Sequence, residues 1–247
     1  MNRKIVIYPI FVCLLLVLSV LYGFTKKRNL NRKVHSIEIK FEEGDNSFLT
    51  HEAVNKLLIQ SQVTVKNQPK RIIDLHHLEE QVLANPYVDE AKVFITPGGL
   101  IKTHISQKEP IARIISGEEM YYIDDEGFKI PLSENFSARV PLVLGENISS
   151  AINEITGLIV FISQDDFLKK EITGIRKSKV NEYILDVRSG DYKIHFGKYE
   201  DVNLKFKKLK AFYNKSLKDK SINQYKIINV KYHNQVVCTK QNQDGKQ

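Results

Sequence analysis

The sequence predicts an α+β protein: a single N-terminal transmembrane helix, a small β-α-α-β-β domain, then a β-rich domain with two helices. Three observations carry that prediction. Residues 5–24 are apolar without a charge, residues 91–105 alternate apolar and polar positions around a Gly-Gly turn, and residues 109–240 hold many short alternating runs with two helical stripes among them.

The first segment reads IVIYPIFVCLLLVLSVLYGF. About 20 apolar residues at a 1.5 Å rise match a hydrocarbon core of roughly 30 Å. Pro9 lies near one end, where a helix tolerates it. A cleavable signal has a shorter apolar core followed by small residues, whereas Leu21-Tyr22-Gly23-Phe24-Thr25 is a poor cleavage site. Cys13 sits mid-run behind Val12, the wrong place for lipid attachment. The segment therefore reads as an uncleaved anchor between a short tail, 1–4, and a basic linker, 25–33. Arg3 and Lys4 precede it; Lys26, Lys27, Arg28, Arg32 and Lys33 follow. Counted alone, these charges place the C-terminal side in the cytoplasm, but the rule is weakest for long translocated domains. Charge leaves the orientation open.

The roughly 220 residues after the anchor suffice for one large or two small domains. Hydrophobic residues make up 42% of the chain, enough for packed cores. The two cysteines, Cys13 and Cys238, cannot pair within one chain, so there is neither a disulfide framework nor metal-ligand spacing. The net charge of +8 raises nucleic acid as a partner. The basic residues instead gather beside the anchor and on one late helix, without a recognition motif. Next to a bilayer they read as contacts to anionic lipid headgroups.

Residues 34–108 form the first domain. Ile37, Ile39 and Phe41 alternate with Glu38 and Lys40 as in a half-buried strand, and Gly44-Asp45-Asn46 breaks it. Thr50 N-caps a helix with Val54, Leu57 and Leu58 on one stripe, and a polar link from Gln60 to Arg71 follows. Asp74 N-caps a second helix carrying Leu75, Leu78 and Val82, which Asn85-Pro86 stops because proline disfavours helical geometry in the residue before it. Ala91, Val93 and Ile95, the turn Pro97-Gly98-Gly99, and Ile101, Thr103 and Ile105 make a hairpin. Helices covering one sheet face would leave an edge available.

Residues 109–240 form the second domain, with a disordered tail over 241–247. Strands are expected at 120–123 and 128–130 around Asp124-Asp125-Glu126-Gly127, then at 171–176, 179–187 and 192–196. An apolar helix is expected over 148–162 and an amphipathic one over 201–217, with Val202, Phe206, Leu209, Tyr213 and Leu217 on its apolar face. Strand 225–232, turn His233-Asn234-Gln235 and strand 236–239 close the domain.

Little in this pattern points to chemistry. The acidic turn at 124–127 lacks the alternating ligands of a calcium loop and reads as a solvated turn. His76 and His77 are adjacent and so face different sides of a helix, as surface residues do. Lys205, Lys207, Lys208, Lys210, Lys215 and Lys218 read as a solvated helix face rather than an anion site. No nucleophile motif, zinc motif or phosphate loop occurs, so no enzyme, cofactor or metal is expected. Sheet edges, which are unpaired rows of hydrogen-bonding groups, point to an interaction protein.

Asn85-Pro86-Tyr87-Val88-Asp89-Glu90-Ala91-Lys92-Val93, then Pro97, Leu100, Ile101, His104-Ile105 and Lys108-Glu109-Pro110-Ile111-Ala112, resemble the hallmark of the bacterial FtsQ/DivIB cell-division family. Tyr122 to Gly127, Val140 to Gly145, and Ile228 to Val237 resemble three later landmarks in the family's order. Gln107 stands where an acid is common, Asn229 where aspartate is usual and Lys231 where arginine is usual. The short N-terminal tail and lack of a long C-terminal extension look more like the FtsQ of Gram-negative cells.

The resemblance implies that 34–108 is a POTRA domain and 109–240 an FtsQ-type β domain. It also implies a cytoplasmic N-terminus, a periplasmic bulk, residence in the inner membrane and a place at the division site. The implied function is a non-enzymatic divisome scaffold, which binds FtsB and FtsL to position septal peptidoglycan synthesis and meets other divisome proteins through the POTRA domain. FtsB would add a strand beside the last strand, which carries the contact onto Tyr232, Asn234, Gln235, Val236, Val237, Cys238 and Thr239. An anchored POTRA protein of envelope protein export or assembly is the alternative. Such proteins usually feed a β-barrel, and too few alternating strands follow the first domain to form one. An anchored envelope hydrolase is a third reading, without a visible catalytic pair.

Overall fold

The structure, a computed structural model, describes residues 3–42, 48–60, 65–219 and 221–241. The break expected at Gly44-Asp45-Asn46, part of the polar link and the tail beyond 241 lie outside the described residues. The chain divides into two compact units, Met1–Gln107 and Lys108–Gln247.

The first unit opens with α1 (Arg3–Leu30). Its apolar span, Pro9–Leu30, covers 22 residues, about 33 Å at the helical rise. Side chains from Ile10 to Phe24 project outward without a protein neighbour to cover them. The helix runs past Phe24, where the apolar run ends, into the basic linker. Lysine and arginine are good helix formers, and their charges suit the negative end of the helix dipole.

Next come β1 (Ser36–Phe41), α2 (His51–Gln60), α3 (Leu75–Leu83), β2 (Val88–Ile95) and β3 (Leu100–Gln107). The strands form one sheet in the order β1-β3-β2, with β1 parallel and β2 antiparallel to β3. Both expected helix starts are built from side chains: Thr50 Oγ1 accepts from Ala53 N (3.1 Å) and Asp74 Oδ1 from His77 N (3.0 Å). Val54, Leu58, Leu78 and Val82 meet Ala91, Val93, Ile101 and Ile105 in a single core. Gly99 turns the hairpin at φ +96°, and a Cβ there would lie 2.5 Å from Lys33 O, so only glycine fits. Gln107 Oε1 accepts from Leu49 N (3.0 Å).

The second unit comprises β4 (Ala112–Ser116), β5 (Glu119–Ile123), β6 (Lys129–Ile130), β7 (Leu142–Leu144), α4 (Ile152–Ser163), α5 (Asp166–Glu171), β8 (Ile172–Lys177), β9 (Tyr183–Val187), β10 (Lys193–Gly197), α6 (Val202–Lys218), β11 (Tyr225–Asn229) and β12 (Val237–Lys240). All nine strands join one sheet, ordered β12-β11-β10-β9-β8-β7-β4-β5-β6. Parallel neighbours need a crossover. Helices α4 and α5 carry the chain from β7 to β8, and α6 carries it from β10 to β11. Their apolar faces (Ile155, Leu158, Ile159, Phe206, Leu209) fill the core with Val143, Ile175, Leu185, Ile194 and Ile228.

Local features depart from the expected pattern: β4 and β7 are strands that the sequence reading does not place, and β11 ends at Asn229 where strand is expected to 232. Helix α5 stands beside the two expected helices and takes in Glu171, which reads as strand in the sequence. Asp165 starts it by accepting from Phe167 N (3.1 Å) and Leu168 N (3.0 Å). Strand β9 begins only at Tyr183, because Asn181 (φ +56°) and the Ser178 hydroxyl, which accepts from Glu182 N, fold 178–182 into a turn. Asp124 is not a solvated turn residue. It is buried, accepts from Phe128 N (2.7 Å) and Glu126 N (3.2 Å), and pairs with Lys108 (2.8 Å). Burial demands partners for its charge, and these supply them.

Beneath α6 a buried polar cluster interrupts the apolar core. Glu171 Oε1 accepts from Ser189, from Tyr192 (3.1 Å) and from Tyr213 (3.0 Å), and the Tyr192 and Tyr213 hydroxyls are 2.7 Å apart. Burial, foremost, pushes the Tyr192 phenol up to about 12 and the Tyr213 phenol higher still, so both stay protonated as donors.

Asp165 also pairs with Lys210, and that contact, then the two backbone donors, holds its carboxyl below the ordinary value of 3.8. A depressed carboxyl stabilises the fold above its unfolded value and loses that contribution as pH falls through the folded one. Asp165→Asn keeps a cap oxygen but not the charge. It should lower unfolding free energy at pH 7 by roughly 0.5 kcal/mol. In urea titrations, that difference from wild type should shrink as pH falls below the ordinary carboxyl value of 3.8 and vanish once the folded carboxyl is protonated.

Candidate partner-binding edge

Strand β12 is the last of the sheet and, among the described residues, pairs only with β11, Asn229 opposite Val237 and Ile227 opposite Thr239. Two contacts set the direction of its backbone groups. Gln241 N donates to Gln224 O (2.8 Å), and Val230 N donates away from β12, to His195 O on β10 (3.0 Å). Alternation from either end turns Val237 and Thr239 toward β11 and leaves the N–H and C=O groups of Cys238 and Lys240 on the open side. Side chains alternate as well: Val236 and Cys238 pack against the core, whereas Val237 (41% exposed) and Thr239 face solvent.

The loop before β12 is held from three sides. Asn229 Oδ1 accepts from Lys231 N (3.1 Å), turning the chain out of β11; the amide oxygen serves as an aspartate oxygen would. Lys208 on α6 donates to Val230 O (2.9 Å) and to Tyr232 O. Lys231 reaches Glu182 (3.7 Å) and lies 5.7 Å from the Tyr232 ring centroid. Gly197, at φ +78°, permits this approach, since a Cβ there would sit 2.7 Å from Lys231 Cβ. Tyr232 itself is 45% exposed, and Asn234 and Gln235 are exposed on the turn beyond it.

The expected site residues thus fall into two groups, Tyr232, Asn234 and Gln235 on a braced loop and Val236 to Thr239 along an open edge. Lys208, which braces the loop, escapes sequence reading because a lysine beside an apolar stripe looks like any other. Of the six α6 lysines expected on a solvated face, Lys207, Lys215 and Lys218 are exposed, whereas Lys205, Lys208 and Lys210 need correction. Lys205 is buried, donating to Lys198 O (2.7 Å) with its ammonium 4.8 Å from the Phe196 ring centroid, and Lys210 pairs with Asp165. Long apolar stems let these residues line a core while carbonyls or carboxylates hold the charge. Burial, above all, lowers the pKa of Lys205 and of Lys208 from the ordinary value.

Two of the other three sheet margins differ; β1, the third, pairs along one side with β3. Strand β6 at the far end has two residues. In the first unit, edge strand β2 has its Val93 N–H taken by Glu79 Oε2 from α3 (2.9 Å). His76 and His77 are exposed and engage Glu80 and Gln81 on their own helix. Among the described residues no cluster of three His, Cys, Asp or Glu is placed to hold a metal.

A family profile described as FtsQ/DivIB, C-terminal related, matches residues 109–239, and a POTRA-like domain profile matches residues 32–106. No curated protein sequence matches the chain.

Lys208→Met keeps the stem and removes the donor, leaving two carbonyls unbraced. Unfolding free energy should fall by about 1 kcal/mol, and hydrogen exchange should quicken along 230–240 but not in α4. Unchanged protection there would show that Lys208 does not position the edge.

Proposed function

The chain belongs to the FtsQ/DivIB family of bacterial cell-division proteins, and from that premise we propose that it is a non-enzymatic divisome scaffold that captures FtsB, and with it FtsL, by strand addition at β12. The family acts at the division site through protein–protein interactions and is generally non-enzymatic. Among the described residues one helix, near the N-terminus, is long and apolar enough to cross a membrane, which suits single-pass anchoring. In the proposed arrangement the anchor lies in the inner membrane with residues 1–4 cytoplasmic and the bulk periplasmic. Residues 34–108 act as the POTRA domain, meeting other divisome proteins, and residues 109–240 as the FtsQ-type β domain. Septal peptidoglycan synthesis is positioned through the FtsB–FtsL pair.

The observation that supports this reading most is the open side of β12. Among the described residues its backbone groups at Cys238 and Lys240 have no strand partner, and Tyr232 stands exposed on a braced loop beside them. An added strand draws affinity from main-chain hydrogen bonds and specificity from alternate side chains. Exposed Val237, Thr239 and Tyr232 are the side chains such a strand would meet.

Tyr232→Ala should weaken FtsB binding by roughly tenfold, as loss of an aromatic anchor does. Cys238→Pro should weaken it without breaking the β11–β12 ladder, since edge strands tolerate proline where the N–H faces outward. Val237→Pro, by contrast, should also loosen β12 itself. Titration of FtsB onto each variant, with thermal melts as a folding check, tests the site; undiminished binding by both Tyr232→Ala and Cys238→Pro rules it out. For the function, a fluorescent fusion should gather at midcell and depletion should produce filaments, whereas a diffuse envelope signal with normal division contradicts the reading.

A further inference from the structure

Five cations, Lys26, Lys27, Arg28, Arg32 and Lys33, follow the uncharged run that ends at Phe24, and the first acidic residue of the chain is Glu38. Two cations are drawn together at the hairpin turn. Arg32 Nη1 and Lys70 Nζ each donate to Pro97 O at 3.0 Å, and Lys70 also donates to Asn29 Oδ1 at 2.9 Å. Two like charges thus share one neutral oxygen. No ion pair among the described residues includes Arg32, Lys70, Arg28 or Lys26. Burial, then the nearness of Arg32, lowers the pKa of Lys70. An arrangement of this kind repels itself unless an anion joins it.

Beside these groups lies an open cleft of about 660 Å³, with Tyr22, Lys26, Arg28, Asn29, Arg32 and Pro97 on its walls. Its height relative to a bilayer follows from α1. Tyr22 is 70% exposed at the end of the lipid-facing side chains, and Lys26 stands about 6 Å further along the helix. Tyrosine favours the headgroup level, and lysine and arginine just beyond an apolar span meet lipid phosphates. The cleft therefore opens where one wall is apolar helix and the other is cationic.

We propose that this cleft binds the headgroup of an anionic phospholipid, its phosphate taken by Arg28, Arg32 and Lys70. Guanidinium groups suit this task because their paired donors match two phosphate oxygens. The acyl chains would run along the exposed apolar face of α1 toward the bilayer centre, which a soluble anion cannot do. Bound there, the lipid neutralises the crowded cations and ties the Pro97 turn to the anchor. The site needs only a membrane-spanning α1, in either orientation, and so stands apart from FtsB binding.

The test uses the full chain in detergent micelles doped with phosphatidylglycerol or phosphatidylcholine, with retained lipid read by native mass spectrometry. Wild type should retain phosphatidylglycerol in preference to phosphatidylcholine. Arg32→Gln with Lys70→Gln should cut that retention on the order of tenfold, while Lys215→Gln with Lys218→Gln, an equal charge change at the exposed end of α6, should not. If the first pair disturbs folding, Arg28→Gln serves in its place, since among the described residues its side chain has no ion-pair partner. Equal retention of both lipids by wild type, or undiminished phosphatidylglycerol on the cleft variants, overturns the proposal. So does ready displacement of the lipid by inorganic phosphate, which would make the cleft a free-anion site.

Discussion

A strand inside a sheet satisfies its backbone on both sides, whereas a strand at the margin leaves one row of donors and acceptors without a strand partner. This chain meets that constraint differently at three of its four margins, β1 being the fourth. At β2 a glutamate from α3 takes the Val93 N–H, and at β6 the strand is only two residues long. At β12, a four-residue strand, the open row at Cys238 and Lys240 faces outward, and the neighbouring structure holds it in place. The order of nine strands requires the two helical crossovers, and the second of these, α6, is what brings Lys208 to the loop before β12.

The lysines of α6 illustrate how a charge can serve packing. Lys205 ends on a carbonyl over an aromatic ring, Lys208 on two carbonyls, and Lys210 on a carboxylate. Each stem extends the apolar face of the helix while the ammonium finds an oxygen. Glu171 solves the reverse problem from within, a buried carboxylate surrounded by three hydroxyl donors. Such a cluster joins α5, the β9–β10 turn and α6 through directional bonds, which apolar contacts alone do not supply.

Charge near the membrane carries a tension. Five cations beyond the anchor oppose the orientation proposed from the family, if position rules alone are counted. The folded unit uses two of them structurally or nearly so: Arg32 holds the Pro97 turn together with Lys70, and Arg28 lines the cleft beside it. A residue can therefore disfavour one topology by its charge and still be required by the fold that results.

The sequence by itself determined the anchor helix, the first-unit hairpin, both helix caps at Thr50 and Asp74, and the α+β class, because each rests on local periodicity or on a side chain within three residues of its partner. It also marked the chain segment that ends the sheet, through motifs in a fixed order. Only the tertiary structure decided that β12 lies at the margin, that its open groups belong to Cys238 and Lys240 rather than Val237, and that Lys208 braces the loop. The same holds for burial of Asp124 and Lys205, and for Glu171 in a helix. These outcomes depend on partners between 7 and 42 positions away, and no local pattern records which distant carbonyl or hydroxyl will arrive to satisfy a charge.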